Sequence, residues 1–256
     1  MLKKGKLYTI TNLFYHLARP IIDIKLSLIA IINYIGYIKD LRQYKRLERN
    51  FKIPILDLDP HLFDKISITP IDYHYFYQQL WAFKNILNNH PPMHLDLGST
   101  VAFSGYLAQI IPTTFVDLRP PKIDVENLKT LKADILNLPF DNESCESVSC
   151  LHVIEHVGLG RYGDTLDPDG SKKASLELQR ILKKGGRLYL STPIGRERIC
   201  FNAHRVFNPQ TIIGYFPNLK LMEFSVVDDC GQLHQNTNWQ DFQSLDYGCG
   251  LFLFMK

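Results

Sequence analysis

An acidic, glycine-containing pattern near the middle of the chain could bind a nucleotide-like ligand. An apolar-rich run ends at Asp96-Leu97-Gly98, a helix is predicted to follow, and Asp117 comes 21 positions after Asp96. In a strand–turn–helix–strand unit, this spacing puts backbone N–H groups and a second carboxylate beside one ligand. Gly98 lets ligand and backbone approach closely, and Asp117 can accept hydrogen bonds from both ribose hydroxyls. One glycine is not a G-x-G-x-x-G fingerprint, so the pattern gains weight only from the segments that follow it.

The segment His152-Val153-Ile154-Glu155-His156 matches the H-x-x-E-H pattern of inverted zinc peptidases. Those histidines bind the metal from adjacent turns of one helix. Here His152 is predicted to close a strand, so we expect no metal ion at this pair. We expect His152 to be a catalytic or cofactor-pocket residue, and a structural histidine is the alternative.

A glycine-rich loop over residues 158–170 is predicted at the active edge of the fold. Its polar side chains suit a lid over a polar acceptor such as a sugar, with Asp164 also a candidate catalytic group. The alternatives are a simple connection whose glycines serve turns, and, less favoured, a divalent cation held between two aspartates. The residues expected to contact the acceptor are Arg161, Tyr162, Asp164 and Asp167.

His204 lies in a second loop that is predicted to face the acceptor. A group that takes a proton from a substrate hydroxyl works best with a pKa near neutrality, and histidine is the natural choice. His204 is therefore the candidate general base, with a loop-structuring role as the alternative. Arg205, with Arg196 and Arg198, could bind an anionic group on the acceptor, unless these arginines form a solvated basic loop.

Strands and helices must alternate to bring these residues together, and the pattern from residue 93 onward predicts that they do. Apolar runs predict strands at 93–98, 113–118, 132–135, 146–152, 187–192, 219–227 and 250–255. Helices are predicted at 101–111, at 171–183 and from Asn208-Pro209. The prediction is an α/β, doubly wound, mainly parallel seven-stranded sheet with its site at the carboxyl ends of the strands. That edge would collect Asp96, Gly98, Asp117, Asp134 and His152.

Residues 1–71 are predicted to form a basic, partly amphipathic helical extension and linker before a main domain at 72–256. Residues 1–52 hold eleven Lys/Arg and three Asp/Glu, although the whole chain has a net charge of only +3. The apolar run at 26–38 is 13 residues long, whereas a membrane span needs about 20. The extension is therefore expected either to cap the main domain or to lie in the plane of an anionic membrane surface.

The remaining composition favours a cytoplasmic protein, with the inner face of the membrane as its second expected location. The five cysteines form no C-x-x-C pair and leave an odd count, which fits a reducing compartment better than a disulfide scaffold. The N-terminus lacks a signal-peptide pattern. Nucleic acid is not an expected partner, because the basic extension has no aromatic-platform motif behind it.

The chain resembles the class I S-adenosylmethionine (SAM)-dependent methyltransferases over about residues 72–256. Four segments carry the resemblance: LDLG at 95–98, DILNLPF at 134–140, CLHVIEHV at 150–157 and LKKGGRLYLSTP at 182–193. From Tyr75 to about Gly231 the chain is similar to an uncharacterised methyltransferase-like family, a domain of unknown function. That resemblance implies surface-glycan biosynthesis, a Rossmann-like methyltransferase fold and a final strand inserted antiparallel to the others.

The resemblance also implies roles for particular residues. Asp96 and the turn at Gly98-Ser99 would hold the methionine end of SAM, and Asp117 would take the ribose hydroxyls. Asp134, with Ile135 beside it, would meet the adenine. His152 would lie close to the sulfonium, whose positive charge suits an acid-lined pocket.

One departure from the family keeps alternatives open. The usual glycine-rich loop is here GSTVAFSG at 98–105, with its second glycine displaced. The first hypothesis is a SAM-dependent O-methyltransferase acting on a sugar or glycan intermediate. The second is a catalytically weak or inactive protein of the same fold that docks on a membrane through its N-terminal segment. A nicotinamide or nucleotide-sugar enzyme is the third, and the missing dinucleotide fingerprint argues against it.

Overall fold

The computed structural model describes residues 23–48 and 52–256, which fall into two compact units, Met1–Pro70 and Ile71–Lys256. The first unit contains helix α1 (Ile24–Leu47) and a short 3-10 helix, Ile55–Asp57. The Asp23 side chain caps α1 by accepting the Leu26 N–H at 3.0 Å. Asn33 donates to the carbonyl of Leu62 at 2.7 Å, so the segment after α1 returns along one of its faces.

The part of the helical extension predicted before residue 23 lies outside the described residues. Within the described ones, no helix combines the length and the apolar character needed to cross a bilayer.

The second unit is an eight-stranded mixed sheet in the order β3-β2-β1-β4-β5-β10-β8-β9. Its strands are β1 (His94–Leu97), β2 (Thr113–Asp117), β3 (Leu128–Lys132), β4 (Cys145–Leu151), β5 (Leu182–Ile194), β8 (Lys220–Val227), β9 (Leu233–His234) and β10 (Gly248–Met255). Strands β1 to β5 run parallel, and β10 lies antiparallel between β5 and β8. A separate hairpin pairs β6 (Arg198–Cys200) with β7 (His204–Val206).

Helices cover both faces of the sheet, which makes the fold doubly wound. The helices of this unit are α2 (Tyr73–Asn89), α3 (Val101–Ala108), α4 (Gly170–Ile181) and α5 (Pro209–Tyr215), followed by a 3-10 helix at Trp239–Phe242. Ala174, Leu178 and Ile181 of α4 enter one apolar core. Trp81 and Ile86 of α2 pack in a second core. Because both faces of the central strands are covered, β10 is buried along nearly its whole length.

The predicted fold class is confirmed, with corrections to its elements. The sheet has eight strands rather than seven, because a two-residue strand, β9, adds to its edge. The third strand covers Leu128–Lys132 instead of 132–135, and Asp134 lies in the turn after it. Strand β5 is longer than predicted, since residues 182–186 extend it before the apolar run begins. The inserted antiparallel strand is confirmed.

Candidate functional site

Two adjoining cavities open at the carboxyl edge of the parallel strands. The smaller one has a volume of about 290 Å³ and the larger one about 760 Å³. Tyr75, His152 and His156 line both of them. The two cavities are therefore adjacent, and His152 lies in the wall between them.

The smaller cavity is lined by residues that follow four successive parallel strands. Gly98 and Ser99 follow β1, Asp117 ends β2, Asp134 and Ile135 follow β3, and His152 follows β4. These are six of the seven residues that the sequence assigned to a cofactor. They come together because the carboxyl ends of parallel strands meet at one edge of the sheet.

Backbone geometry fixes the acids and the glycine of this cavity. Asp117 accepts the Arg119 N–H at 2.7 Å, and Asp134 accepts the Leu136 N–H at 2.9 Å. Gly98 has φ +63°, and a Cβ there would lie 3.3 Å from the Val153 side chain and 3.7 Å from an Asp117 carboxylate oxygen. The position therefore favours glycine both for its backbone conformation and for the space beside it.

Asp96 does not line the cavity, which corrects its expected contact with the methionine end of a cofactor. Its side chain is fully buried and accepts hydrogen bonds from the hydroxyls of Ser99, Ser104 and Ser149. Burial raises the pKa of Asp96 to about 6, although the three serines oppose the shift. Ser99 does line the cavity, so the role of Asp96 in the site is to hold the Ser99 hydroxyl in place.

The larger cavity is polar and aromatic. A run of neighbouring rings crosses its wall, with centroids 5.3 Å apart for Tyr75–His152, 5.7 Å for His152–His74, 5.1 Å for His74–Tyr247 and 5.1 Å for Tyr247–His204. Carboxylates add negative charge to the wall: Asp72, Glu155, Asp228, Asp229 and Asp246. Such a lining offers flat apolar faces together with many hydrogen-bond acceptors.

The shared wall contains a buried group of His152, Glu155 and Cys249. Nδ1 of His152 lies 2.7 Å from Oε1 of Glu155, and Nε2 lies 3.3 Å from Sγ of Cys249. The His152–Glu155 contact is a short charge contact rather than an aligned hydrogen bond, because no donor points at Oε1 of Glu155 with hydrogen-bond geometry. Burial favours neutral His152, but Cys249 and Glu155 outweigh it and raise the pKa of His152 to about 10. His152 itself has φ +56°, an uncommon left-handed conformation for a side-chain-bearing residue.

Two other histidines of the larger cavity are suited to accept a proton. Burial is the main cause that lowers the pKa of His204 and of His156 from the ordinary value of 6.5. Both rings are therefore neutral near pH 7. Nδ1 of His156 lies 2.7 Å from the Ala203 carbonyl, whereas His204 begins β7 and faces the cavity beside Tyr247.

The loop at 158–170 divides between the two cavities. Arg161 lines the larger cavity and donates to the Ala203 carbonyl at 2.9 Å. Tyr162 lines the smaller cavity, with Arg119 4.9 Å and Arg161 5.1 Å from its ring centroid. Asp164 also lines the smaller cavity, where it accepts the N–H groups of Gly158, Gly160 and Tyr162. Although partial burial opposes the change, these N–H groups lower the pKa of Asp164, so it organises the loop and makes a poor base.

Asp167 and Arg205, both expected to contact substrate, lie in neither cavity wall. Asp167 pairs with Lys173 at 2.6 Å. Arg205 is buried, and its guanidinium donates to the carbonyls of Val157, Glu155, Asp167 and Pro168 and to the Ser171 hydroxyl. The guanidinium satisfies backbone groups of the loop and has a structural role.

Sequence reasoning missed several cavity residues that are distant in the chain. His74 and Tyr247 lie at opposite ends of the second unit, and Asp228 and Asp229 follow β8. The aromatic residues at 73–81 divide between the core and the cavity wall. Trp81 is in the core, whereas Tyr73, His74 and Tyr75 line the larger cavity.

Comparisons with known proteins agree with this architecture. A family model described as "Caenorhabditis protein of unknown function, DUF268" matches residues 137–222, about a third of the chain. No curated protein matches the chain significantly.

Three solved structures show the similarity of fold. The N-methyltransferase NodS from Bradyrhizobium japonicum WM9, solved with S-adenosyl-L-homocysteine (SAH), has a TM-score of 0.51 at 16% identity over 71% of this chain and 86% of NodS. YcgJ from Bacillus subtilis has a TM-score of 0.51 at 13% identity over 71% of this chain and 98% of YcgJ. The [4+2]-cyclase SpnF has a TM-score of 0.51 at 11% identity over 70% of this chain and 80% of SpnF. The fold is therefore the Rossmann-like methyltransferase fold, and the cyclase among these neighbours shows that the fold does not fix the reaction.

Proposed function

We propose that this protein is a SAM-dependent methyltransferase that methylates a hydroxyl group of a sugar or glycan intermediate. The observation that carries the proposal is the pair of cavities that meet at His152. The smaller one combines a glycine turn with two carboxylates at successive strand ends, and the larger one is polar, aromatic and directly adjacent. NodS, which shares the fold, was solved with SAH, the demethylated form of this cofactor.

The residues of the smaller cavity fit the cofactor. Gly98 lines this cavity, and because it carries no side chain, the methionine end of the cofactor can approach its backbone closely. Asp117, Asp134 and Ile135 line this cavity. In the proposed complex, Asp117 accepts hydrogen bonds from the ribose hydroxyls, and Asp134 and Ile135 contact the adenine. When bound, SAM supplies an electrophilic methyl group on a cationic sulfur, and an acid-lined pocket favours that charge.

The residues of the larger cavity suit a hydroxyl-bearing acceptor. Aromatic rings such as Tyr75 and Tyr247 can pack on the apolar face of a sugar, while carboxylates such as Asp229 and Asp246 accept bonds from its hydroxyls. His204, neutral near pH 7, can accept the hydroxyl proton as the methyl group is transferred. The acceptor oxygen gains the methyl group, and SAH and a proton are the other products.

A transfer assay tests this proposal. Full-length protein incubated with methyl-labelled SAM and a panel of free and nucleotide-linked sugars should move label into an alkali-stable product. Acid hydrolysis of that product should release an O-methylated monosaccharide. Asp117→Ala should abolish transfer, and His204→Ala should lower kcat by about 10²- to 10⁴-fold if the histidine is the general base. Label in amines or in alkali-labile esters, with none in sugars, would reject O-methylation.

A second candidate function is a membrane-docked protein that keeps the fold with little or no turnover. It is favoured by a continuous exposed apolar stripe along α1, formed by Ile24, Leu28, Ile31, Ile35 and Ile38. Exposed Arg42, Lys45 and Arg46 follow it toward the end of the helix. Such a surface suits in-plane binding to anionic lipid. Docking and catalysis are compatible, and the transfer assay separates an enzyme from an inactive scaffold.

A further inference from the structure

His74, His152 and Cys249 form a compact cluster at the floor of the larger cavity. Their potential ligand atoms all lie within 4.8 Å of one another, and Nε2 of His152 is 3.3 Å from Sγ of Cys249. They come from α2, from the turn after β4 and from β10, so only the folded sheet assembles them. We infer that these three side chains bind a transition-metal ion, with Zn²⁺ the best match to their chemistry.

The distances are close to those of a three-ligand zinc site. With Zn–N of about 2.0–2.1 Å and Zn–S of about 2.3 Å, neighbouring tetrahedral ligand atoms lie roughly 3.3–3.8 Å apart. The His152–Cys249 pair, at 3.3 Å, already has this spacing. Two imidazoles that share one ion have ring centroids roughly 5–6 Å apart, and those of His74 and His152 are 5.7 Å apart. The remaining separations, all within 4.8 Å, involve His74, which is half-buried on the wall of the larger cavity.

Both histidines have the outer partner that metal-binding histidines usually have. A ligating imidazole typically donates its other ring N–H to a carboxylate or a backbone carbonyl, which orients the ring. For His152 that group is the Glu155 carboxylate, whose Oε1 lies 2.7 Å from Nδ1 in charge contact, so only a small rotation of the ring or the carboxylate would align a hydrogen bond. For His74 it is the backbone of Tyr247. Nε2 of His152 is thereby the nitrogen directed at Cys249.

The buried charges also suit a divalent cation. Glu155 and Cys249 are fully buried, and Oε1 of Glu155 accepts no directed hydrogen bond. A dication bound by one thiolate and two neutral imidazoles, with the Glu155 carboxylate behind them, gives a neutral group. Burying a neutral group costs far less than burying its separate charges.

The histidines proposed here differ from those of the H-x-x-E-H pattern. His156 lies outside the cluster, because its Nδ1 is 2.7 Å from the Ala203 carbonyl and its Nε2 is 3.8 Å from Glu155. In the H-x-x-E-H pattern, the second histidine ligand lies on the same helix as the first. Here the other two ligands are His74, from α2, and Cys249, on β10.

Three protein ligands leave a fourth position open toward the larger cavity, which His74 and His152 line. An acceptor hydroxyl bound there would lose its proton more readily, since Zn²⁺ lowers the pKa of a bound oxygen. The oxygen would then attack the methyl carbon, forming the O–C bond as the C–S bond of SAM breaks, and the proton would pass to His204, the proposed base. This role rests on the proposed methyl transfer, whereas the metal site itself does not.

Metal content tests the inference directly. Full-length protein purified without chelators, or dialysed against Zn²⁺ and then metal-free buffer, should retain about one zinc ion per chain by elemental analysis. Replacement with Co²⁺ should give a cysteinate-to-cobalt charge-transfer band. Cys249→Ser should remove that band, His74→Gln should remove most of the metal, and Glu155→Gln should weaken zinc binding by about 10- to 100-fold. Cys230→Ser, at an exposed cysteine, and His204→Gln, at another histidine of the cavity, should keep both metal and band.

Circular dichroism of each variant and SAH titration of the same samples separate the outcomes. If Cys249→Ser does not fold, His74→Gln decides, because its side chain is only half-buried. Folded wild type without stoichiometric metal or a sulfur band would overturn the metal site, even if it binds SAH. Metal retained equally by Cys249→Ser and His74→Gln would overturn it too. Metal bound by a protein that does not bind SAH would instead reject the proposed function.

Discussion

His94 and Asp96 are neighbouring polar residues on β1 that are both buried in the sheet. Nδ1 of His94 lies 2.7 Å from the Ser147 hydroxyl and Nε2 lies 2.9 Å from the Ser149 hydroxyl. Ser149 also donates to Asp96, which in turn holds Ser99 in the wall of the smaller cavity. A chain of hydrogen bonds therefore links a core histidine to the proposed cofactor site.

Protonation of His94 should destabilise the protein in mild acid. Burial lowers its pKa from 6.5 to about 3, so the folded state stays neutral while the unfolded state takes up a proton. The stability due to neutral His94 is complete above pH 6.5 and is lost progressively as the pH falls toward 3. From pH 7 to pH 5 this loss is about 2 kcal/mol.

Urea unfolding of wild type and His94→Gln at pH 7 and pH 5 checks this prediction. Glutamine can still bond to the two serines but does not titrate. Wild type should lose about 2 kcal/mol more stability than the variant between the two pH values. Equal losses would show that His94 is not the titrating group. Asp96 is present in both proteins, so its opposite contribution cancels in the comparison.

Gly98→Ala should weaken cofactor binding, and the loss of affinity should be larger than the loss of folding stability alone would cause. A left-handed conformation costs a non-glycine residue about 1–2 kcal/mol, and the new methyl group would crowd Val153 and Asp117. Gly185→Ala is the matched control, because Gly185 has φ +77° but open space beside its Cβ position. Thermal melts should show similar destabilisation, while titration should show about tenfold weaker SAH binding for Gly98→Ala alone. Equal affinities in the two variants would remove Gly98 from the proposed site.

At the residue scale, sequence reasoning grouped residues that lie at or near the carboxyl ends of predicted strands. Gly98, Asp117, Asp134 and His152 are such residues, and all four line the smaller cavity because the topology of a parallel sheet brings them together. It failed for Asp167 and Arg205, because a loop residue's position does not reveal where its side chain points. Arg205 turns inward to satisfy loop carbonyls, which no local pattern indicates.

At the element scale, α1 presents an apolar stripe whose function is open to test. Its half-buried residues lie away from this stripe and are Ala30, Asn33, Gly36, Tyr37 and Leu41. Side chains of the stripe remain well exposed, with Ile31 at 62% and Ile35 at 69%. This distribution supports the interfacial prediction made from the sequence.

Flotation with liposomes tests the stripe. Full-length protein should float with vesicles containing anionic lipid and much less with zwitterionic vesicles, since Arg42, Lys45 and Arg46 add electrostatic attraction. Ile31→Asp/Ile35→Asp should remain at the bottom of the gradient. Ile110→Asp/Leu176→Asp, at exposed positions of 59% and 50% on the second unit, is the matched control and should still float. Docking through α1 would be contradicted if both variants floated. It would also be contradicted if wild type and both variants stayed at the bottom of the gradient.

The secondary structure could be predicted well where apolar periodicity is strong. Seven of the sheet strands were identified, and the start of α5 at Asn208-Pro209 is confirmed by the Asn208 side chain, which accepts the Gln210 N–H. The third strand was displaced because Leu128–Lys132 contains two lysines and a threonine and has only one buried residue, Leu128, so its apolar pattern is weak. The two-residue β9 has no periodicity to detect.

At the scale of the whole molecule, the larger cavity is assembled from distant parts of the chain. His74 begins the second unit, Asp228 follows β8, and Tyr247 precedes β10, the strand inserted between β5 and β8. Their proximity depends on strand order and loop packing rather than on spacing in the sequence. This is why most residues of the smaller cavity could be predicted to lie together, while most of those of the larger cavity could not.

Calorimetric titration of SAH into wild type, Asp117→Ala and Asp124→Ala tests the central claim most directly. Asp124 is an exposed acid in the segment after β2 and lies in neither cavity, so it is the matched control. Wild type and Asp124→Ala should bind SAH at one saturable site. Asp117→Ala should bind about 10- to 100-fold more weakly, which corresponds to losing one or two charge-assisted hydrogen bonds of about 1.5–3 kcal/mol. A flat trace for folded wild type, or equal affinity for Asp117→Ala, would contradict a cofactor site at the strand ends.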